Sequence, residues 1–281
     1  MPLRVLDLFS GIGGFSIGLE RAGMQTVAFC ELHSFCQAVL RKNWPKIPIY
    51  DDIRTLTANR LATDGITDIS VIAGGFPCQD ISVAGKGTGL AGERSGLWRE
   101  YARLIGELRP RYVIVENVAA LLYRGLGEVL GDLATLGYDA EWHCIPASYV
   151  GAPHRRDRIW IVAYPDSKST SRSIDSCIVK RGQAPASEGS MDIGDTSCSG
   201  ARSRMENVAD TRRQSSQIPI TRQLSAIQVA EWNSWWQIEP SVGRVVDGIP
   251  SRLDRLKALG NAVVPQIPEM IGRAIINAEG I

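Results

Sequence analysis

A chain of 281 residues is long enough for one large domain, or one domain with a smaller companion, and can bury a substantial core. With 44% hydrophobic residues, 22% charged residues and a net charge of +1, its composition is that of an ordinary soluble protein, so any nucleic-acid site has to be local. Its six cysteines (Cys30, Cys36, Cys78, Cys144, Cys177 and Cys198) form no CxxC pair and no zinc-finger spacing, which argues against a structural metal and for reduced thiols. Met1-Pro2-Leu3-Arg4 lacks the layout of a secretory leader, and no apolar run reaches the roughly 18 residues of a membrane span. The expectation is a cytoplasmic protein without a membrane partner.

Residues 4 to 9 are largely apolar with one acid and run into Ser10-Gly11-Ile12-Gly13-Gly14, after which residues 15 to 22 take up helical spacing. Strand, glycine turn and helix in that order let backbone amides approach a ligand closely. Residues 26 to 30 read as a second strand ending in Glu31, about twenty residues after the glycine turn, where dinucleotide folds place a carboxylate for ribose hydroxyls. Glycine turns also join strands to helices in folds that bind nothing. Asp51-Asp52-Ile53 follows a proline-containing loop, and its acids suit either a helix cap or an adenine amino group.

Residues 69 to 73 predict a buried strand, and Gly74-Gly75-Phe76-Pro77-Cys78-Gln79 follows. Those residues are expected to stop the strand and set Cys78 in a turn at its carboxyl end, where open parallel sheets place their ligand crevices. A thiol there is placed to react, although a free cysteine is more often a small buried hydrophobe. Residues 82 to 98 carry five glycines, which suits a lid. Residues 97 to 108 read as a helix stopped by Pro110, and residues 112 to 115 as a strand ending in Glu116-Asn117-Val118. That strand brings a carboxylate to the edge that holds Cys78, where acids also cap helices.

A single helix is expected over 121–136 and a strand over 141–146. Gly151-Ala152-Pro153-His154-Arg155-Arg156-Asp157-Arg158 then leads into an apolar strand at 159–163. Its arginines are either surface charge or a grip on a phosphate or base carbonyl. From 164 to about 225 serine, threonine and arginine replace apolar periodicity. Five arginines against two acids in the window 200–222 make it the best local candidate for phosphate contacts. A helix at 252–259, a turn at 260–265 and a last helix at 266–278 close the chain and are expected to return to the first domain.

This order of motifs resembles the DNA (cytosine-5) methyltransferase family of bacterial or phage type. The resemblance rests on Asp7-Leu8-Phe9-Ser10-Gly11-Ile12-Gly13-Gly14, Gly75-Phe76-Pro77-Cys78-Gln79, Glu116-Asn117-Val118, Arg156-Asp157-Arg158 and Leu259-Gly260-Asn261-Ala262-Val263-Val264-Pro265. It implies an α/β Rossmann-like methyltransferase fold that uses S-adenosylmethionine and no metal. The catalytic domain would occupy residues 1–165, a target-recognition domain 166–243, and a segment returning to the catalytic domain 244–281. His154 stands where the family usually has glutamine, and alanine follows Asn261 where serine is frequent.

The chemistry accounts for the residue types. Cytosine C5 is a poor nucleophile until a thiolate, here Cys78, adds at C6. Glu116 would place a proton on N3, and Arg158 with Arg156 would hold O2. The resemblance assigns the cofactor to Asp7, Phe9, Ser10, Gly11, Ile12, Gly13 and Gly14, to Glu31, Leu32, Asp52 and Ile53, and to Pro77, Leu97, Asn261, Ala262 and Val263. Gln79, Ser82, Lys86, Arg94, Arg202, Arg204, Arg212 and Arg213 are the candidate DNA contacts. The expected partner is duplex DNA with the target base flipped out, bound by a monomer of a restriction-modification system. The alternatives are a tRNA cytosine methyltransferase and a catalytically silent DNA-binding relative.

Overall fold

Short apolar runs flanked by polar turns make most of the strands, and their side chains are buried in both directions. Val5, Val71, Ala73, Ile114, Trp160 and Val162 enter one core, and Leu6, Leu8, Ile72, Val113, Val115 and Ile161 the other. Both faces of the sheet are therefore covered, as continuous rather than alternating apolar runs require. The computed structural model describes residues 1–77, 96–166 and 251–281. Cys78, Gln79, Ser82, Lys86, Arg94, Arg202, Arg204, Arg212 and Arg213 lie outside them, as do most of the expected lid and most of the expected recognition domain. The described residues, apart from Asp166, belong to one compact unit.

In chain order the elements are β1 (Arg4–Leu8), α1 (Gly14–Arg21), β2 (Gln25–Cys30), α2 (Ser34–Asn43), β3 (Ile49–Tyr50), α3 (Ala58–Thr63) and β4 (Val71–Gly75). They continue with α4 (Leu97–Leu108), β5 (Tyr112–Val118), α5 (Leu121–Arg124), α6 (Leu126–Thr135), β6 (Tyr138–Ile145) and β7 (Arg158–Pro165). A 3-10 turn at Ala147–Val150 precedes β7, and α7 (Arg252–Asn261) and α8 (Gln266–Glu279) complete the described chain. The strands form one sheet in the order β3-β2-β1-β4-β5-β7-β6. All neighbours are parallel except β7, which is antiparallel to β5 and to β6.

The order reverses at β1 and β4, where Leu8 pairs with Gly74. A crevice at such a reversal is where open α/β sheets bind ligands. Helices α1 and α8 cover one face through Phe15, Leu19, Ile267, Met270 and Ile271. On the other, α4 and α6 pack Trp98, Tyr101, Leu104, Val129 and Leu133. Gly18 is the contact point of α1 with the start of α8, since a Cβ there would run into the Pro265 carbonyl. Close approach, not flexibility, is the reason for glycine at that position.

Several expectations are corrected. Gly74 and Gly75 continue β4 instead of ending it. A Cβ on Gly74 would strike the Leu8 carbonyl, and one on Gly75 would lie 2.5 Å from Glu116 Oε2, so both glycines admit neighbours at close range. The single helix expected over 121–136 is interrupted at Gly125 and forms α5 and α6. Helix α7 extends through Gly260 and Asn261, so the turn begins only at Ala262. Helices α2 and α3 and strand β3 were not anticipated. In α3, Thr57 Oγ1 accepts the Arg60 amide at 3.1 Å, so the N-cap is Thr57 and not either neighbouring aspartate.

Candidate active site

The turn after β1 is built on left-handed backbone at Phe9 (φ 53°), Gly11 (φ 55°) and Gly13 (φ 88°). Phe9 carries this conformation without being glycine, which costs energy that the surrounding bonds must hold. Ser10 Oγ donates to the Asp7 carbonyl at 2.6 Å, and the Gly13 amide donates to the Ser10 carbonyl at 2.8 Å. Glu31, at the end of β2, closes the arrangement. Its Oε2 accepts the Gly11 amide at 2.7 Å and its Oε1 the His33 amide at 2.7 Å. The carboxylate thus fixes two turns to each other and retains lone pairs for a ligand.

Asp7 lies beneath this turn and is fully buried. Ser16 Oγ donates to its Oδ2 at 2.7 Å, while Oδ1 has no hydrogen-bond partner among the described residues. Burial pushes its pKa up to about 7, against the opposing pull of the Ser16 bond. Asp52 is instead held below the usual carboxylate range by Arg54, which donates from Nη2 at 2.7 Å and from its own amide at 2.9 Å. Both oxygens of the expected adenine acceptor therefore already accept hydrogen bonds from Arg54.

The second half of the site belongs to β4, β5 and β7. Glu116 pairs with Gly75 across the sheet on one side and with Trp160 on the other. Its side chain is nearly buried, and Arg158 Nε, at the start of β7, lies 2.9 Å from Oε1. Burial raises the Glu116 pKa to about 7, and the Arg158 and Arg156 charges only partly counter it. A carboxyl poised near neutrality beside a guanidinium can give or take a proton at the same place where negative charge is stabilised. Asn117 follows: its Nδ2 donates to the Phe76 carbonyl at 3.1 Å, and its Oδ1 accepts the Val118 amide at 2.9 Å. It ties the segment entering Pro77 to the strand that carries Glu116.

Arg156 takes a different direction. Its backbone is left-handed (φ 43°) and its Nη2 donates at 2.8 Å to the Ala262 carbonyl, on the turn between α7 and α8. Burial and the nearby Arg158 charge hold its pKa below the usual guanidinium range.

One cleft of about 670 Å3 joins the two halves. Phe9, Ser10, Gly11, Gly14, Glu31, Leu32, Asp52, Ile53, Pro77, Leu97, Glu116, Arg156, Arg158, Asn261, Ala262 and Val263 all line it. Asp7, Ile12 and Gly13 do not; Gly13 packs under Trp44, whose ring a Cβ would meet at 2.6 Å. The cleft also takes in residues to which the sequence analysis gives no role, among them His33, Cys36, Asn117 and the α7 residues Asp254, Lys257 and Ala258. Positions 254, 257, 258 and 261 recur at the spacing of one helix face. That signal was present, but a polar face suggests solvent. Among the described residues there is no group of three or more metal-ligating side chains.

The fold is the Rossmann-like α/β fold of S-adenosylmethionine-dependent methyltransferases. Solved structures share it, including a candidate DNA modification methyltransferase encoded within an E. coli prophage (TM-score 0.61, 19% identity, 99% of this chain and 100% of that one). The Entamoeba histolytica methyltransferase EhMeth shares it too (TM-score 0.60, 13% identity, 99% and 98% covered). Residues 3–226 match the model of the C-5 cytosine-specific DNA methylase family, and the chain belongs to that family. It is 36% identical over 183 residues to the type II methyltransferase M2.BsuMI of Bacillus subtilis, covering 62% of this chain and 45% of that protein. With M.Eco47II of Escherichia coli it shares 36% identity over 165 residues, covering 57% and 39%. The chain thus spans about half the length of these curated relatives or less. Among the described residues no helix is long and apolar enough to cross a membrane.

Proposed function

We propose that this protein transfers a methyl group from S-adenosylmethionine to C5 of cytosine in duplex DNA. The observation that carries the reading is the near-neutral Glu116 carboxyl, paired with Arg158, in the same cleft as the Gly11–Glu31 turn. Family membership supports it.

The cleft fits the cofactor. Its volume of about 670 Å3 is that of a small-molecule site. The left-handed turn would bring backbone to the methionine part, with Phe9, Ser10 and Gly11 around it, and Glu31, which has lone pairs beyond those that accept the two amides, would receive ribose hydroxyls. Leu32 and Ile53 would flank the adenine. Ala262 and Val263 would close over the methionine carboxylate. The cofactor supplies an electrophilic methyl group; the protein's residues prepare the base that receives it.

Cys78, directly after Pro77 in the chain, would add as thiolate to C6. Negative charge then enters the ring, and Glu116, about half protonated near pH 7, would place a proton on N3 while Arg158 holds O2. After methylation, with S-adenosylhomocysteine as the leaving group, the N3 proton would return to Glu116, and loss of the C5 proton to water would expel the Cys78 thiolate and restore the aromatic ring. Because C6 is enclosed in a stacked duplex, the base has to be swung into the cleft.

The recognition domain is proposed for residues 166–243, with residues 244–281 returning to the catalytic domain. We take the protein to act as a monomer in the cytoplasm, within a restriction-modification system. Bisulfite sequencing of DNA from cells expressing the protein tests the activity. The expected result is protection of cytosine in one short sequence context, absent with Cys78→Ser. Labelling of tRNA but not of DNA by the purified protein and labelled cofactor would contradict the DNA reading.

A further inference from the structure

Arg156 and Arg158 stand two residues apart, and the resemblance gives both to the cytosine ring, yet the structure gives their guanidiniums different partners. Arg158 pairs with Glu116. Arg156, turned by its left-handed backbone, donates to the Ala262 carbonyl at 2.8 Å. The turn that receives this bond is held from the opposite side by α1: a Cβ on Gly14 would lie 2.8 Å from Val263 Cγ2 and 3.0 Å from the Val263 carbonyl. That packing sets the turn against α1, and Arg156 is a side-chain tether to the same turn among the described residues. Ala262 and Val263 themselves line the cleft.

We infer that Arg156 is a positioning residue for the cofactor, a latch that holds the Ala262–Val263 turn over the cleft, and not a contact to the flipped base. This rests on the reading of the cleft as a site for S-adenosylmethionine. A charge-assisted bond from a half-buried guanidinium to a carbonyl holds the turn more firmly than a neutral bond would. The tripeptide from Arg156 to Arg158 therefore couples two tasks: its first side chain closes the cofactor end, and its third sets the acid that acts on the base. Ordering one end orders the other, so cofactor and DNA are expected to bind with positive reciprocal coupling.

The test separates affinity from turnover in Arg156→Ala, Arg156→Lys and Arg158→Ala. S-adenosylhomocysteine binding is measured by titration calorimetry without DNA, and kcat and cofactor KM with unmethylated genomic DNA. Arg156→Ala is expected to weaken S-adenosylhomocysteine binding about tenfold and raise the cofactor KM by a similar factor, as loss of one charged hydrogen bond implies. Arg156→Lys, which keeps a donor, restores most of the affinity. Arg158→Ala binds within twofold of the parent and loses kcat. Thermal melting without ligand identifies any variant that fails to fold. If Arg156→Ala does not fold, the lysine variant is compared with Arg156→Met, which keeps the apolar stem and has no donor, and equal affinity in those two overturns the latch. The latch is also overturned if folded Arg156→Ala binds S-adenosylhomocysteine like the parent and loses only kcat. A parent protein that binds no S-adenosylhomocysteine overturns the cofactor reading itself, and is distinguishable because no variant is then needed to see it.

Discussion

Replacing Glu116 by glutamine keeps the shape of the side chain and removes its proton chemistry. In the parent, burial raises the Glu116 pKa from 4.5 to about 7, against the pull of Arg158. Between those values the folded protein binds more protons than the unfolded chain, so the Glu116 contribution to stability falls as pH rises. Below about pH 4.5 the penalty is absent, because the group is protonated in both states. Above about pH 7 it is complete, at roughly 3 kcal/mol. Asp7 contributes with the same sign in an overlapping window, its pKa rising from 3.8 to about 7. Because Asp7 is unchanged in the variant, the difference between the two proteins isolates Glu116. Urea denaturation at pH 5 and pH 8 is expected to show the glutamine variant gaining on the parent by up to roughly 3 kcal/mol as pH rises. In methyl-transfer assays the variant is expected to lose about 100-fold to 10,000-fold in kcat. It is also expected to lose the decline in rate above about pH 7 that deprotonation of the parent acid produces. A variant with the parent's rate and the parent's pH profile would refute the assignment of the proton to Glu116.

Four more perturbations follow from the geometry. Gly75→Ala places a methyl group 2.5 Å from Glu116 Oε2, so the acid must move; kcat should fall at least about tenfold with the fold retained in circular dichroism. Glu31→Ala strips the Gly11 and His33 amides of their acceptor and should weaken S-adenosylhomocysteine binding by about tenfold or more in calorimetry. Asn117→Ala leaves the Phe76 carbonyl without its donor and should cost about 1–3 kcal/mol in urea denaturation, with a loss of kcat as the Pro77 segment loosens. Trp98→Ala removes one of the largest fully buried side chains, which packs on Phe76 and Tyr101, and should cost about 3–5 kcal/mol in the same assay.

Much of the catalytic fold is legible in the sequence because its strands are buried on both faces and announce themselves as apolar runs. Residues 112–115 and 159–163 are of this kind, and both lie within observed strands. The glycine turn and Glu31 are legible for a related reason, since a backbone at positive φ and an acid at a strand end have few chemical substitutes. Helix α2 was harder to see because it buries only Cys36 and Leu40. Gly74 and Gly75 misled because glycine signals turning and close approach alike, and only the neighbouring Leu8 carbonyl and Glu116 carboxyl show which applies. The direction of Arg156 was equally hidden: its partner, Ala262, is more than a hundred residues away and offers a backbone carbonyl that no side-chain pattern marks.

DNA synthesised with 5-fluorocytosine in place of cytosine carries fluorine where the C5 hydrogen would be, and fluorine cannot leave as a proton does, so an enzyme that attacks C6 and methylates C5 is trapped on it. Incubating the purified protein with such duplex and S-adenosylmethionine, then digesting and sequencing the adduct by mass spectrometry, reads the thiol and the base together. A covalent link between the Cys78 peptide and a methylated fluorocytosine is the predicted product, lost in Cys78→Ser. Methylation of ordinary duplex by the same preparation, with no adduct on the fluorinated one or with the adduct on another cysteine, would contradict it.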